Sequence, residues 1–283
     1  MVPRASRMRP NDGAGMSIDS IKLYANTHAI ESEQFTLVFR SPLDSADEGR
    51  FDERRPEIEE LFRAIDEPDV FQVMVGEGPQ PPKPVIKVLN DFGRNGKPEW
   101  SGQFGENAVS VSSMQYTNWA EIWPSVQNRL KLLLNCVDTF KFVGSIDYKV
   151  TDTFTEKVIP NNKGALLSKN ILKKGNWVPE GLLSYEDPRW DFSSGLFHSP
   201  NERSEVLERV EARSFLTGDQ VVTSISNTFS LRLKAAIRLK DLLEGGNVTG
   251  RVTETFEDFH DKNKVTIRSI FVNDLLKRMG LGQ

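Results

Sequence analysis

Between Phe35 and Ser41 the chain alternates. Phe35, Leu37 and Phe39 fall on one side and Thr36, Val38 and Arg40 on the other, a period of two that predicts a strand with one fully apolar face. Further short runs follow at Val70–Val75, Val85–Leu89, Trp100–Phe104 and Val109–Val111. The Pro79–Pro84 stretch, Asn90-Asp91, Gly93–Gly96 and Gly105–Asn107 separate them as turns, so the region reads as an antiparallel meander. Helical spacing occurs twice around it. Ile58, Leu61, Phe62 and Ile65 follow Pro56 at i, i+3, i+4, i+7, which predicts a short amphipathic helix with a charged, solvated outer face. Trp119, Ile122, Trp123, Val126, Leu130, Leu133 and Val137 make a longer stripe, opened by Asn118 and Glu121 at capping-box spacing. Pro124 either kinks this helix or marks a later start. Phe140–Phe154 then reads as a long strand.

Residues 158–204 lose this regularity. Pro and Gly recur through them beside Trp177, Tyr185, Trp190, Phe192 and Phe197, a composition that suggests a loop folded onto a sheet, with a short helix near Ala165–Lys173. Regular patterning resumes with strands at Val206–Phe215 and Val221–Ile225 around the turn Thr217–Gln220. In Phe229–Leu239 the odd-numbered positions are apolar, while Arg232, Lys234, Arg238 and Lys240 lie opposite; a one-residue slip would bury four charges, so the register is well specified. Gly245–Asn247 ends that region. A helix carrying Phe256, Phe259, His260, Ile267, Ile270 and Phe271 follows, then a final one capped by Asn273 or Asp274 and stopped at Gly280. The fold class is α+β, with one or two antiparallel sheets each packed by an amphipathic helix. The plan of meander plus helix occurs twice and suggests an architectural duplication, without a residue-level repeat. The organisation is a disordered tail over 1–20 (with Met16 as an alternative start), an N-terminal half over 21–157, the aromatic connecting segment 158–204 and a C-terminal half over 205–283.

Composition narrows the function classes. A net charge of −4 argues against a chain-wide polyanion-binding surface and leaves room for a local basic patch. No apolar run reaches the ~18–20 residues of a membrane helix, and no apolar core follows Arg4, Arg7 and Arg9 to make a signal peptide, so a cytoplasmic, non-membrane protein is the expectation. One cysteine, Cys136, cannot form an internal disulfide. Only His28, His198 and His260 are available as imidazoles, far apart and without zinc spacing, and no phosphate loop, HExxH or GxSxG occurs. No cofactor is evident and no metal site is assigned.

Certain residues together resemble a family. Tyr116-Thr-Asn-Trp119 opening an amphipathic helix, then Ile146-Asp-Tyr148 and Asp152-Thr-Phe154, and near the end His260, Phe271 and the Asn273–Met279 helix, resemble a sporadically distributed, uncharacterised bacterial protein family. Its members, at about 250 residues, fall in the same size class of one or two domains. The resemblance spans roughly residues 30–280; the charged segment 44–67 and the aromatic segment 177–197 do not match it. It implies an accessory-gene setting near defence, mobile or stress genes, and carries over no catalytic residue.

The candidate chemistry is correspondingly sparse. Asp152 shares a strand face with Tyr148, which could orient it, while Asp147, at odd separation, faces away, so the two do not form a direct dyad; one of them could bind a metal, or each is only a turn or rim carboxylate. His260 and Lys264 are i, i+4 neighbours on a helix and could form an acid–base couple or hold a phosphate; otherwise His260 is an edge histidine bonded to a sheet carbonyl. Trp177, Trp190 and His198 could wall a ligand site on a loop, or simply pack. Arg232 and Lys234, with Arg238 and Lys240, could track a phosphate backbone, or pair with Glu205, Glu208 and Glu211 on the neighbouring strand. The favoured expectation is a non-enzymatic bacterial accessory protein that binds a protein partner or small ligand. The alternative is a metal-dependent hydrolase or nuclease using Asp152 or His260, and single-strand nucleic-acid binding is a third class.

Overall fold

The strand begun by Phe35 extends back to Ile30. In the computed structural model, which describes residues 18–25, 28–68, 86–158, 166–243 and 250–282, it is β2, Ile30–Phe39, with Glu33, Phe35, Leu37 and Phe39 all buried on one side. Along the chain lie β1 (Lys22–Leu23), β2, α1 (Ser45–Glu53), α2 (Arg55–Leu61), β3 (Ala64–Asp66), β4 (Ile86–Phe92), β5 (Pro98–Gly105), β6 (Ala108–Ser113), α3 (Trp119–Leu134) and β7 (Phe142–Lys157). There follow α4 (Ser168–Ile171), α5 (Glu180–Leu183), β8 (Trp190–Asn201), β9 (Ser204–Thr217), β10 (Gln220–Arg238), α6 (Arg251–Ile270) and α7 (Asn273–Arg278). The expected strand Val70–Val75, the Pro79–Pro84 loop, Gly245–Asn247 and the tail as far as residue 17 lie outside the described residues. Among those described, no helix is long and apolar enough to cross a membrane.

One antiparallel sheet collects the strands in the order β3-β4-β5-β6-β2-β7-β10-β9-β8, with β1 pairing β7 off that path. β7 is the hinge of the topology: it pairs with β2 on one side and β10 on the other, so residues 21–157 and 205–283 contribute to the same sheet. Its even-numbered residues from Ile146 to Glu156 are buried, a period of two held over six positions. α3 buries Ile122, Trp123, Val126, Leu130, Leu133 and Leu134, and these meet Phe35, Leu37, Val111 and Ile146 in one cluster with the first half of α6. The second half of α6, with Ile267 and Ile270, packs with Phe154, Val210, Ile225 and Leu275 in another. Phe62 closes onto β5 at Gly102, where an added Cβ would lie 3.2 Å from the ring and 3.3 Å from the Ser110 carbonyl oxygen. The β9–β10 hairpin turns at Gly218 with φ +59°, a conformation that favours glycine.

Several elements differ from the sequence expectation. α2 stops at Leu61, and Ile65 pairs with Leu89 in β3 instead of continuing the helix stripe. Residues 190–201, expected as loop, are the edge strand β8; beyond Ser194 its side chains are exposed on both sides, so the alternation that marks a half-buried strand is missing. β10 is one strand of 19 residues, where the sequence suggested a break before Phe229. α7 begins at Asn273 with Val272 at its cap, so neither Asn273 nor Asp274 caps it.

The Asn118 cap is formed: its side chain accepts from the Glu121 amide at 3.1 Å. It starts α3 at Trp119, and Asn118→Ala is expected to cost about 1 kcal/mol in urea unfolding.

Candidate functional site

On the sheet face that receives α6, β2, β7 and β10 bring polar side chains together. Glu33 lies opposite Val150, and Val150 lies opposite Asn227, so a carboxyl and an amide flank one valine. Tyr148 and Asp152 are the next inward residues of β7 on either side of Val150. Glu33, Tyr148, Asp152 and Asn227 are all buried. An interior polar group needs a partner to offset lost hydration, and here the partners are few. Tyr148 Oη donates to Glu33 Oε1 at 2.6 Å, and Asn227 Nδ2 donates to Asn263 Oδ1 at 3.2 Å. Glu33 Oε2, Asp152 Oδ1 and Asn227 Oδ1 have no hydrogen-bond partner.

α6 lies above with His260, Asn263 and Lys264 at i, i+3, i+4. The His260 ring stacks on Trp119 with centroids 3.9 Å apart and planes 14° off parallel. Its Nδ1 is 3.4 Å from Tyr148 Oη. Tyr148 already donates to Glu33, so the tautomer with the proton on Nδ1 completes a run from His260 through Tyr148 to Glu33. The expected bond from His260 to a sheet carbonyl is replaced by this contact. Lys264 Nζ donates to Asp261 Oδ1 at 3.1 Å.

Burial sets the protonation states. It pushes Asp152 up to about 7. Burial also pushes Glu33 up to about 7, with the Tyr148 hydrogen bond opposing and the Asp152 charge adding. Burial pulls His260 down to about 4, and the Lys264 charge adds to that. Near neutral pH the imidazole is therefore uncharged, and the two carboxyls sit close to their titration points. Tyr116, beside them, is raised by burial first and by Glu33 and Asp152 second.

Asp152, Tyr116, His28, His260, Asn263 and Lys264 line a cavity of about 100 Å³, together with Ile30, Ile267, Met279 and Leu281. Asp152 is 2% exposed, lines this space, and keeps Oδ1 buried without a hydrogen-bond partner. Of the sequence candidates, Asp152, His260 and Lys264 thus meet at one place. The others do not join them. Trp177 and Trp190 are core side chains, 8% and 5% exposed, and Trp190 Nε1 donates to the Leu166 carbonyl at 3.4 Å. His198 is exposed on β8, 3.8 Å from Glu208. Arg232 and Lys234 are exposed on β10. Glu208 does not pair with that basic row, because its side chain is on the helix face, where Thr266 donates to it. Asp147 lies on the opposite face from Asp152 and accepts from Ser230 Oγ. Cys136 is buried, and burial pushes its thiol up to about 12, which keeps it protonated near neutral pH.

Sequence reasoning missed Glu33, Tyr116, Asn227 and Asn263. The signal was present for two of them: Glu33 stands two before Phe35 and Asn227 two before Phe229, each continuing the inward alternation with a polar residue. Among the described residues no three His, Cys, Asp or Glu side chains gather as a metal site would require.

No family model matches the chain, and no curated protein does. A solved structure, DynU16, from the dynemicin biosynthetic locus, aligns over 70% of this chain and 86% of its own at 14% identity, with a TM-score of 0.17. A superposition that loose fixes neither fold nor function.

Proposed function

We propose that this chain is a non-enzymatic binding protein that holds a small ligand in the Asp152 cavity. The observation that carries the reading is the Asp152 carboxyl in the cavity wall, buried, protonatable near neutral pH and without a hydrogen-bond partner on Oδ1. An unpaired buried acceptor costs about 1–3 kcal/mol, and a bound N–H or O–H donor recovers that cost. The volume equals that of about three waters in the liquid, well below a drug-sized pocket, so the ligand is a small molecule or one end of a longer one. Its donor group meets Asp152, and its apolar part lies against Ile30, Ile267, Met279 and Leu281. The family resemblance supports a bacterial accessory role, in a defence or stress setting.

A metal-dependent hydrolase fits this site less well. His28 and His260 line the cavity with Asp152, but among the described residues no three His, Cys, Asp or Glu side chains gather there, and the Lys264 ammonium repels a divalent ion.

Titration with butanol, propanamide and butylamine, followed through the His260 and Trp119 ring resonances, tests the reading. At least one probe is expected to shift these signals saturably in the wild type and not in Asp152→Leu. Unmoved signals with all three, or equal shifts in the variant, would overturn it.

A further inference from the structure

The opposite face of the sheet carries a patch that the cavity does not explain. Where β7 begins and β10 ends, Phe140, Phe142 and Phe197 are exposed, Phe140 by 58% and Phe197 by 61%. Each ring lies under a cation. Arg232 is 5.8 Å from the Phe197 centroid, and Arg238 is 5.5 Å from Phe140 and 5.7 Å from Phe142. Lys240 Nζ is 4.7 Å from Phe140. Register produces this arrangement, since Arg238 lies opposite Phe142 and Arg232 opposite Ser145.

Between Arg232 and Ile237 the β10 pairing is interrupted, and Arg40 fills the break. One guanidinium nitrogen donates to the carbonyls of Leu233, Lys234 and Ala235 at 2.5, 3.2 and 3.3 Å, which holds the bulge with Lys234 exposed. Among the described residues, Arg232, Lys234, Arg238 and Lys240 have no carboxylate within ion-pair distance. Glu205 is the residue opposite Arg232 on β9, yet no ion pair forms between them; Asp147 accepts from Ser230 and feels the Arg232 charge without forming an ion pair with it. On a chain of net charge −4 this is a local reversal of sign, with its cations over rings instead of carboxylates.

We propose that this patch binds single-stranded nucleic acid. Phosphates supply anions at ion-pair distance, which Arg232, Lys234, Arg238 and Lys240 lack, and unstacked bases supply the flat faces that exposed Phe rings take. Strand spacing sets the scale: crossing from β8 to β7 covers ~14 Å, a span of several nucleotides of extended chain. A duplex keeps its base faces stacked inside and would leave the rings unused. An acidic protein segment would satisfy the cations and likewise ignore the rings. The patch is on the other side of the sheet from Asp152, so this inference stands apart from the ligand reading.

Fluorescence anisotropy with the intact protein and a labelled oligothymidylate of about ten nucleotides, enough for one site, tests it. Binding is expected to weaken with salt, and Arg232→Ala and Arg238→Ala each flatten the slope of log affinity against log salt by about 0.7. Phe140→Ala and Phe197→Ala should weaken binding about tenfold at unchanged slope, because they remove stacking and not charge. All four side chains are exposed, so these variants keep the fold. An oligouridylate run alongside tells RNA from DNA as the preferred strand. No binding at low salt, Phe variants that bind like wild type, or polyglutamate that competes as well as the oligonucleotide would each overturn the proposal.

Discussion

Asp152→Asn combined with Glu33→Gln reverses the pH dependence of stability. Asp152 titrates at about 7 when folded and near 3.8 when unfolded, so between those values the folded chain holds a proton that the unfolded chain has released. Stability therefore falls as pH rises through that window and stays lower above it. Glu33 behaves the same way between 4.5 and about 7. His260 has the opposite sign: its folded value of about 4 lies below 6.5, the unfolded chain binds the extra proton, and stability rises with pH across that interval. Two carboxyls outweigh one imidazole, so the wild type is expected to lose on the order of 3 kcal/mol between about pH 5 and about pH 8. With both carboxyls replaced by amides only His260 remains, and the double variant is expected to gain on the order of 2 kcal/mol over the same range. Urea midpoints at the two pH values measure both changes. Parallel curves for the two proteins would mean that neither carboxyl is held protonated by burial.

Trp190→Ala is expected to cost about 3–5 kcal/mol, enough to bring an ordinary domain close to unfolding. Its ring is in the cluster with Val210, Ala212 and Phe154, stacks beside Phe192 at 6.3 Å and donates through Nε1 to Leu166. Trp177→Ala falls in the same class, because its ring packs in the same cluster. Both tryptophans therefore pack in the core, the second of the two readings that the sequence offers, and neither walls a site on a loop. His198→Ala, on the exposed part of β8, is expected to stay within about 0.5 kcal/mol of wild type. Chemical denaturation followed by circular dichroism compares them, and an unchanged midpoint for Trp190→Ala would take the aromatic segment out of the core.

The legible parts of the fold are those where one physical pattern repeats undisturbed. β2 from Phe35 onward, β7, the β9–β10 hairpin and the Asn118 start of α3 all follow from period-two or period-3.6 runs with a turn or cap at the end. β8 was hidden because an edge strand with both faces in solvent carries no alternation after Ser194. Ile65 was misplaced because it fits the i+7 position of the preceding helix as well as a strand position, and only the pairing with Leu89 decides between them.

The site was half legible for a related reason. Helix spacing pairs His260 with Lys264, and a strand face presents Asp152, but nothing local says that the pair and the carboxylate meet. Their convergence depends on α6 crossing β7, a long-range contact that no local pattern encodes. Glu33 and Asn227 are hard to read from sequence because a polar residue at the end of an apolar alternation looks like the strand's end. Here each is an inward residue of a strand that continues, and an inward carboxyl without an obvious partner is the signal to look for across the sheet.

Native mass spectrometry of the protein freshly purified from its own host, with Asp152→Leu purified in parallel, tests the central claim most directly. The expected result is a small-molecule adduct of defined mass, at close to one per chain, on the wild type and absent from the variant. A wild-type spectrum of bare chain, or the same adduct on both proteins, would contradict the assignment of the Asp152 cavity as a ligand site.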